Sequence, residues 1–161
     1  MRDEAEFLAL YREHQAALFR YAYHMTGSRD QAEEILQETF VALLRKTDNW
    51  PAERAYLLGV ARNMVRRGWN AETFDELEEE SATLPDFFDD ITRAERIAAV
   101  RESLLTLPEP YREAIVLCDM EEMTYEQAAP ILRCPVGTVR SRLNRGRALL
   151  AAKLKGKWQV V

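Results

Sequence analysis

Residues 124–157, "TYEQAAPILRCPVGTVRSRLNRGRALLAAKLKGK", constrain the fold more than any other stretch of this chain. Thr124 and Gln127 stand three apart ahead of an apolar run. That is a capping box, in which a side-chain hydroxyl and a side-chain amide satisfy each other's backbone N–H groups. Met123, just before, is placed to staple onto Ala128. The spacing predicts a helix to about 132, a short turn through "RCPVG", and a long final helix with Pro135 near its first turn. Two helices joined by a tight turn, the second one basic, make a helix-turn-helix pattern.

The final helix has two faces. At 100° per residue, Val136, Leu143, Leu150 and Leu154 fall within about 60° of Val139 and form the buried stripe. Gly137, Ser141, Asn144, Arg145 and Ala148 lie opposite, flanked by Arg140. Small residues at the centre of that face allow close approach to a major groove, where Arg140, Ser141, Asn144 and Arg145 reach base edges or phosphates. Arg147, Lys153, Lys155 and Lys157 are suited to neutralise phosphates nearby.

Charge is segregated along the chain. Residues 1–70 carry ten basic and ten acidic side chains, residues 72–95 ten acidic against Arg93, and residues 124–161 eight basic against Glu126. The net charge of −5 hides this order of neutral, acidic, basic, a pattern that marks a nucleic-acid contact at one end.

The other helical signals make the chain all-α. Phe7, Leu8, Tyr11, Leu18, Tyr21 and Ala22 fall on one face of a helix over 2–25, which Gly27 ends. Ser28 and Gln31 form a second capping box, opening a helix over 29–46 that buries Ile35, Leu36, Phe40 and Leu43. A third helix starts near Pro51 and runs to 69. On it, Leu57, Leu58, Ala61, Met64 and Val65 face the core. Gly59, Arg62, Asn63, Arg66 and Arg67 gather opposite with Tyr56 at their edge, a surface for phosphates and unstacked bases that Trp50 is near enough to join. Glu34, Gln37, Glu38, Val41 and Arg45 make an acidic stripe on the second helix that suits a partner protein. Residues 70–91 are acidic, contain Pro85, and read as a linker. Thr92 and Glu95 open a helix to about 106. "LPEPYREAIVLCDM" then gives a two-proline turn and a short helix with Tyr111, Ile115 and Cys118 on one side. The expected architecture is two small helical domains, 1–70 and 92–161, joined by an acidic linker over 71–91.

Several chemistries are not supported. Cys118, Cys134, His14 and His24 show no metal-ligand spacing, and two cysteines make no disulfide framework. No nucleophile–base pair or phosphate loop appears, so neither catalysis nor a cofactor is expected. No apolar run approaches the ~20 residues of a membrane span, and the acidic start "MRDEAEF" is unlike a signal peptide. A cytoplasmic protein is the expectation.

These residues resemble a bacterial RNA polymerase sigma factor of the extracytoplasmic-function group. "AEEILQETFVALLR" at 32–45 is similar to that group's core-polymerase-binding helix, and "AYLLGVARNMVRR" at 55–67 to the helix that reads the minus-ten promoter element. "LPEPYREAIVLCDMEEMTYEQAAPILRCPVGTVRSRLNRGRALL" at 107–150 resembles the domain that reads the minus-thirty-five element. The resemblance implies a transcription initiation factor that binds core RNA polymerase and promoter DNA and is restrained by an anti-sigma factor. It assigns Glu34, Gln37 and Glu38 to polymerase. It assigns Tyr56, Arg62, Asn63, Arg66 and a base-holding loop at Trp50 to the minus-ten region. Thr138, Arg140, Ser141, Asn144 and Arg145 go to the minus-thirty-five groove. Three positions depart from the group. Tyr56 replaces a frequent tryptophan, and Arg133 stands where glycine is common. Pro130 lies inside the first helix of the helix-turn-helix, where it should kink or end that helix. A stand-alone helix-turn-helix regulator explains 107–150 equally well but leaves the faces at 32–67 without a role.

Overall fold

The computed structural model describes residues 3–46, 54–68 and 92–157. Asp3 starts α1 (Glu4–Thr26) by accepting a hydrogen bond from the Ala5 N–H at 3.0 Å. Gly27 stops it in the left-handed region, at φ 72°. α2 (Arg29–Arg45) follows at once, with the Ser28 hydroxyl accepting from the Gln31 N–H at 3.2 Å. The return arm predicted from Gln31 is replaced: the Ser28 N–H donates to Thr26 Oγ1 at 3.2 Å. α3 (Arg54–Arg67) completes a first group of helices.

The core of this group is built from Leu18, Tyr21, Ala22 and Met25 of α1, Ile35, Leu36, Phe40 and Leu43 of α2, and Leu57, Leu58, Ala61 and Val65 of α3. Phe40 anchors the end of it, edge-on to Phe7 at 5.8 Å and tilted against Tyr11 at 4.9 Å. Leu8, expected inside, is exposed. The buried stripe of α1 runs through Phe7, Tyr11, His14, Leu18 and Tyr21, and Leu8 stands about 100° round the helix from Phe7.

The second group comprises α4 (Arg93–Leu105), α5 (Glu109–Ile115), α6 (Tyr125–Leu132) and α7 (Val136–Lys157). α5 runs on into a wide π-helical turn over Val116–Met120. Thr92 caps α4 through the Glu95 N–H. Thr124 and Gln127 form the predicted capping box in full, with bonds of 3.1 and 3.0 Å. Pro130 does not end α6. The helix continues to Leu132 with the proline ring on its exposed face. It stops soon after by its own C-cap, so the donor that proline removes lies in the last turn. The α7 stripe is as expected, with Val139, Leu143, Leu150 and Leu154 buried.

The two groups pack on each other. α3 lies against α6, and α1 against α4, and one apolar cluster runs through both. Gly27 sits so close to Leu105 that a Cβ there would meet its Cδ1 at 2.8 Å. No strand occurs among the described residues.

Candidate nucleic-acid interface

The turn between α6 and α7 is made by Arg133 in the left-handed region, φ 54° and ψ 46°. The N–H groups of Arg133 and Cys134 both reach the Ala129 carbonyl, closing α6. The Pro135 carbonyl then accepts from Thr138 and Val139 at 3.0 and 3.1 Å, starting α7. This geometry aims the first turns of α7 outward. Gly137, Arg140, Ser141 and Asn144 are exposed there, with Thr138 half-buried beside them. The Arg140 guanidinium lies 5.5 Å from the Tyr125 ring centroid, which steadies it over α6.

Two arginines of α7 are committed elsewhere. Arg145 is half-buried; its Nη1 donates to the Tyr111 hydroxyl at 2.9 Å and its guanidinium lies 5.8 Å from that ring. It therefore flanks the outward face instead of standing in it. Arg147 grips Asp119, with Nε to Oδ2 at 2.9 Å, and that hydrogen bond holds its pKa above the ordinary arginine value. Lys155 is exposed and Lys153 half-buried.

On α3, Asn63, Arg66 and Arg67 are exposed and Tyr56 half-buried. Lys46 Nζ sits 4.6 Å from the Tyr56 ring centroid and donates to its hydroxyl at 3.2 Å. Arg66 also approaches Glu109, Nε to Oε1 at 3.6 Å. Arg62 departs from expectation: it is 6% exposed, and its Nε bonds Glu113 Oε1 and Oε2 at 3.0 and 2.9 Å. The physical reason is its place on the wheel. Arg62 stands about 40° from Leu58, so a helix packed on that flank encloses it, and α5 supplies the carboxylate that makes burial tolerable. Trp50 lies outside the described residues, as does the expected linker.

On α2, Glu34, Gln37, Glu38 and Arg45 are exposed, together with Val41 and, unanticipated, Leu44 at 52%. The helix thus presents an acidic row alongside two bare aliphatic side chains.

Glu113 was not anticipated as a key residue. It also accepts from the Tyr21 hydroxyl at 2.6 Å, and burial with this carboxylate pushes the tyrosine pKa well up. A signal was present: Glu113 sits three and four residues before Val116 and Leu117, so one carboxylate interrupts an apolar stripe. Cys118 and Cys134 are half-buried free thiols, and burial, followed by Asp119, pushes the Cys118 pKa up. Among the described residues no cluster of three or more His, Cys, Asp or Glu is placed to hold a metal. None of the described helices is long and apolar enough to cross a membrane.

Comparison with known proteins bears on the family and the fold. Residues 10–74 match the family description Sigma-70 region 2, and residues 97–150 match Sigma-70, region 4. The chain is 32% identical to the ECF RNA polymerase sigma factor EcfG of Rhodopseudomonas palustris, over 86% of this chain and 79% of that one. It is also 32% identical to the ECF RNA polymerase sigma factor SigE of Mycolicibacterium smegmatis, over 88% of this chain, and there it spans only 58% of the relative's length. Among solved structures it is similar to CnrH in complex with the cytosolic domain of CnrY (TM-score 0.71, 26% identity, 96% of this chain and 90% of that one). It is likewise similar to the sigma factor RpoE from Bartonella quintana in complex with the anti-sigma factor NepR (TM-score 0.66, 25% identity, 93% and 97%).

Proposed function

The chain belongs to the ECF RNA polymerase sigma factors, and from that premise we propose that it binds core RNA polymerase, directs it to specific promoters and helps the DNA to melt. The observation that carries this reading is the joint exposure of two unlike surfaces. The small-centred face of α7 at Gly137, Arg140, Ser141 and Asn144 suits a major groove, and the acidic, aliphatic-edged face of α2 suits a protein.

The division of labour follows the helices. Residues 1–70 form the unit for polymerase and the minus-ten element, 71–91 a linker, and 92–161 the unit for the minus-thirty-five element. Glu34, Gln37 and Glu38 meet polymerase. Asn63 and Arg66 contact the minus-ten strand, with Arg62 behind them and Trp50 and Tyr56 beside a base drawn out of the stack. Unstacking costs a few kcal/mol, offset by stacking on aromatic rings. Thr138, Arg140, Ser141 and Asn144 read the minus-thirty-five groove, with Arg145 bracing its flank. The protein acts by binding and catalyses nothing itself. It takes no cofactor and no small-molecule substrate, and works in the cytoplasm, where polymerase and promoters are. Of the structural relatives, CnrH is held by the cytosolic domain of CnrY and the sigma factor RpoE by the anti-sigma factor NepR, which supports an anti-sigma partner here too. A stand-alone helix-turn-helix regulator would leave the exposed α2 face unused.

The test is run-off transcription with purified core polymerase on a genomic fragment library. New, factor-dependent transcripts are expected, and they should vanish with Asn63→Ala/Arg66→Ala while polymerase binding persists. No new transcript from any template, or normal initiation by the double variant, overturns the reading.

A further inference from the structure

α7 carries four arginines, and three are held by hydrogen bonds. Arg142 Nη1 lies 3.8 Å from Cys134 Sγ, Arg145 donates to the Tyr111 hydroxyl, and Arg147 donates to Asp119. Arg140 has no such partner among the described residues. It is exposed, and what meets its guanidinium is the half-buried ring of Tyr125, with the centroid 5.5 Å away.

Tyr125 is a fixed support. It is the first residue of α6, directly after the Thr124 N-cap, and the capping box closes the turn in which it sits. Its hydroxyl makes no hydrogen bond with a described residue, so the contact with Arg140 belongs to the ring. On the α7 side, Arg140 follows the fully buried Val139. The helix cannot roll and carry the arginine away from the ring without exposing that valine.

An exposed arginine samples many rotamers, and a base contact has to freeze them. A ring beside the guanidinium does part of that before DNA arrives. It draws on the charge of the cation and leaves the N–H fork free to donate. A planar fork held in one place suits a pair of acceptors, and guanine O6 and N7 present such a pair in the major groove.

We infer that Tyr125 is a positioning residue for base reading, its ring holding Arg140 against one guanine of the minus-thirty-five groove. It sets the preference at that base pair through Arg140 and not by a contact of its own. This rests on the reading above, in which the outward face of α7 meets that groove.

The test uses the full chain bound to core polymerase, with promoter fragments from the run-off experiment whose upstream bases are randomised. Bound fragments are sequenced and preference is scored base pair by base pair. Arg140→Ala should erase one guanine preference, which locates the contact. Tyr125→Leu should lower that same preference about fivefold or more and leave intact the position that Asn144→Ala erases. Tyr125→Phe keeps the ring and should select as wild type does. If Tyr125→Leu loses far-ultraviolet helicity, Tyr125→Gln carries the same test. An unchanged pattern with the ringless variant, or a uniform loss at every position, overturns the assignment. So does equal damage from Tyr125→Phe, which would make the hydroxyl the working group, or an Arg140→Ala variant that erases no guanine. Run-off transcription with the same preparations separates the two ideas: failure of wild type to initiate sinks the sigma reading and this assignment with it, whereas normal initiation with an unchanged pattern sinks the role of Tyr125 alone.

Discussion

Gly146 of α7 lies directly over the backbone of Tyr111, so that a Cβ at position 146 would stand 2.9 Å from the Tyr111 carbonyl oxygen and 3.1 Å from Ile115 Cδ1. α7 packs on α5 here, and backbone cannot move aside as a side chain can.

Gly146→Ala is therefore expected to destabilise the protein. Helix propensity favours alanine by about 1 kcal/mol, but overpacking against fixed backbone costs about 1–3 kcal/mol, so the clash wins. Gly59, in the middle of α3, has nothing within 4 Å of an added Cβ, so Gly59→Ala should gain about 1 kcal/mol. Urea midpoints of the two variants must move in opposite directions; a shared direction refutes the packing argument.

Arg133 holds the left-handed turn that glycine usually occupies. An L-residue there is strained by about 1–2 kcal/mol, partly offset by the freedom glycine loses on folding. Arg133→Gly should raise stability by about 1 kcal/mol, read as a higher thermal midpoint. A lower midpoint would show that the arginine side chain outweighs its backbone.

His24 makes the fold sensitive to mild acid. Burial, with help from Arg101 and against the Arg20 carbonyl bonded to its Nδ1 at 2.7 Å, lowers its pKa below the ordinary 6.5. The unfolded chain then binds a proton first as pH falls. Stability is complete above about pH 6.5 and declines as pH drops below it. Glu109, whose pKa is raised by burial and then by Glu113, works in the opposite sense nearer its ordinary 4.5. Unfolding midpoints between pH 7.5 and 5.5 should fall for wild type and stay flatter for His24→Gln. Parallel profiles would exclude His24 as the source.

The reading proposed for the α7 face predicts that base reading and phosphate contact are separable. Asn144→Ala or Arg140→Ala should weaken promoter binding by the polymerase complex by about 1–3 kcal/mol on its own sequence and little on others. Lys155→Ala should weaken all duplexes alike and lower the salt slope by about 1. Titrations of promoter and scrambled duplex against potassium chloride decide this; equal losses on both duplexes for Asn144→Ala would remove it from base reading.

Much of this protein is legible in its sequence alone. Capping pairs at Thr124 and Gln127, the apolar stripe of α7 and the exposed rows of α2 follow from helical periodicity, which depends only on residues three and four apart. Leu8 and Leu44 show where that rule blurs: each lies at the edge of a stripe, and its exposure depends on how wide a neighbour the helix meets. Pro130 shows another limit, because a proline's effect depends on how much helix remains beyond it. The fate of Arg62 was beyond sequence altogether. Its helix offered it to solvent, and only the packing of the second helix group on the first brought to it Glu113, 51 residues along the chain. The sequence by itself determined the helices, their faces and the family. The tertiary structure alone decided which arginines face outward, because burial of a charge is set by partners that no local pattern names.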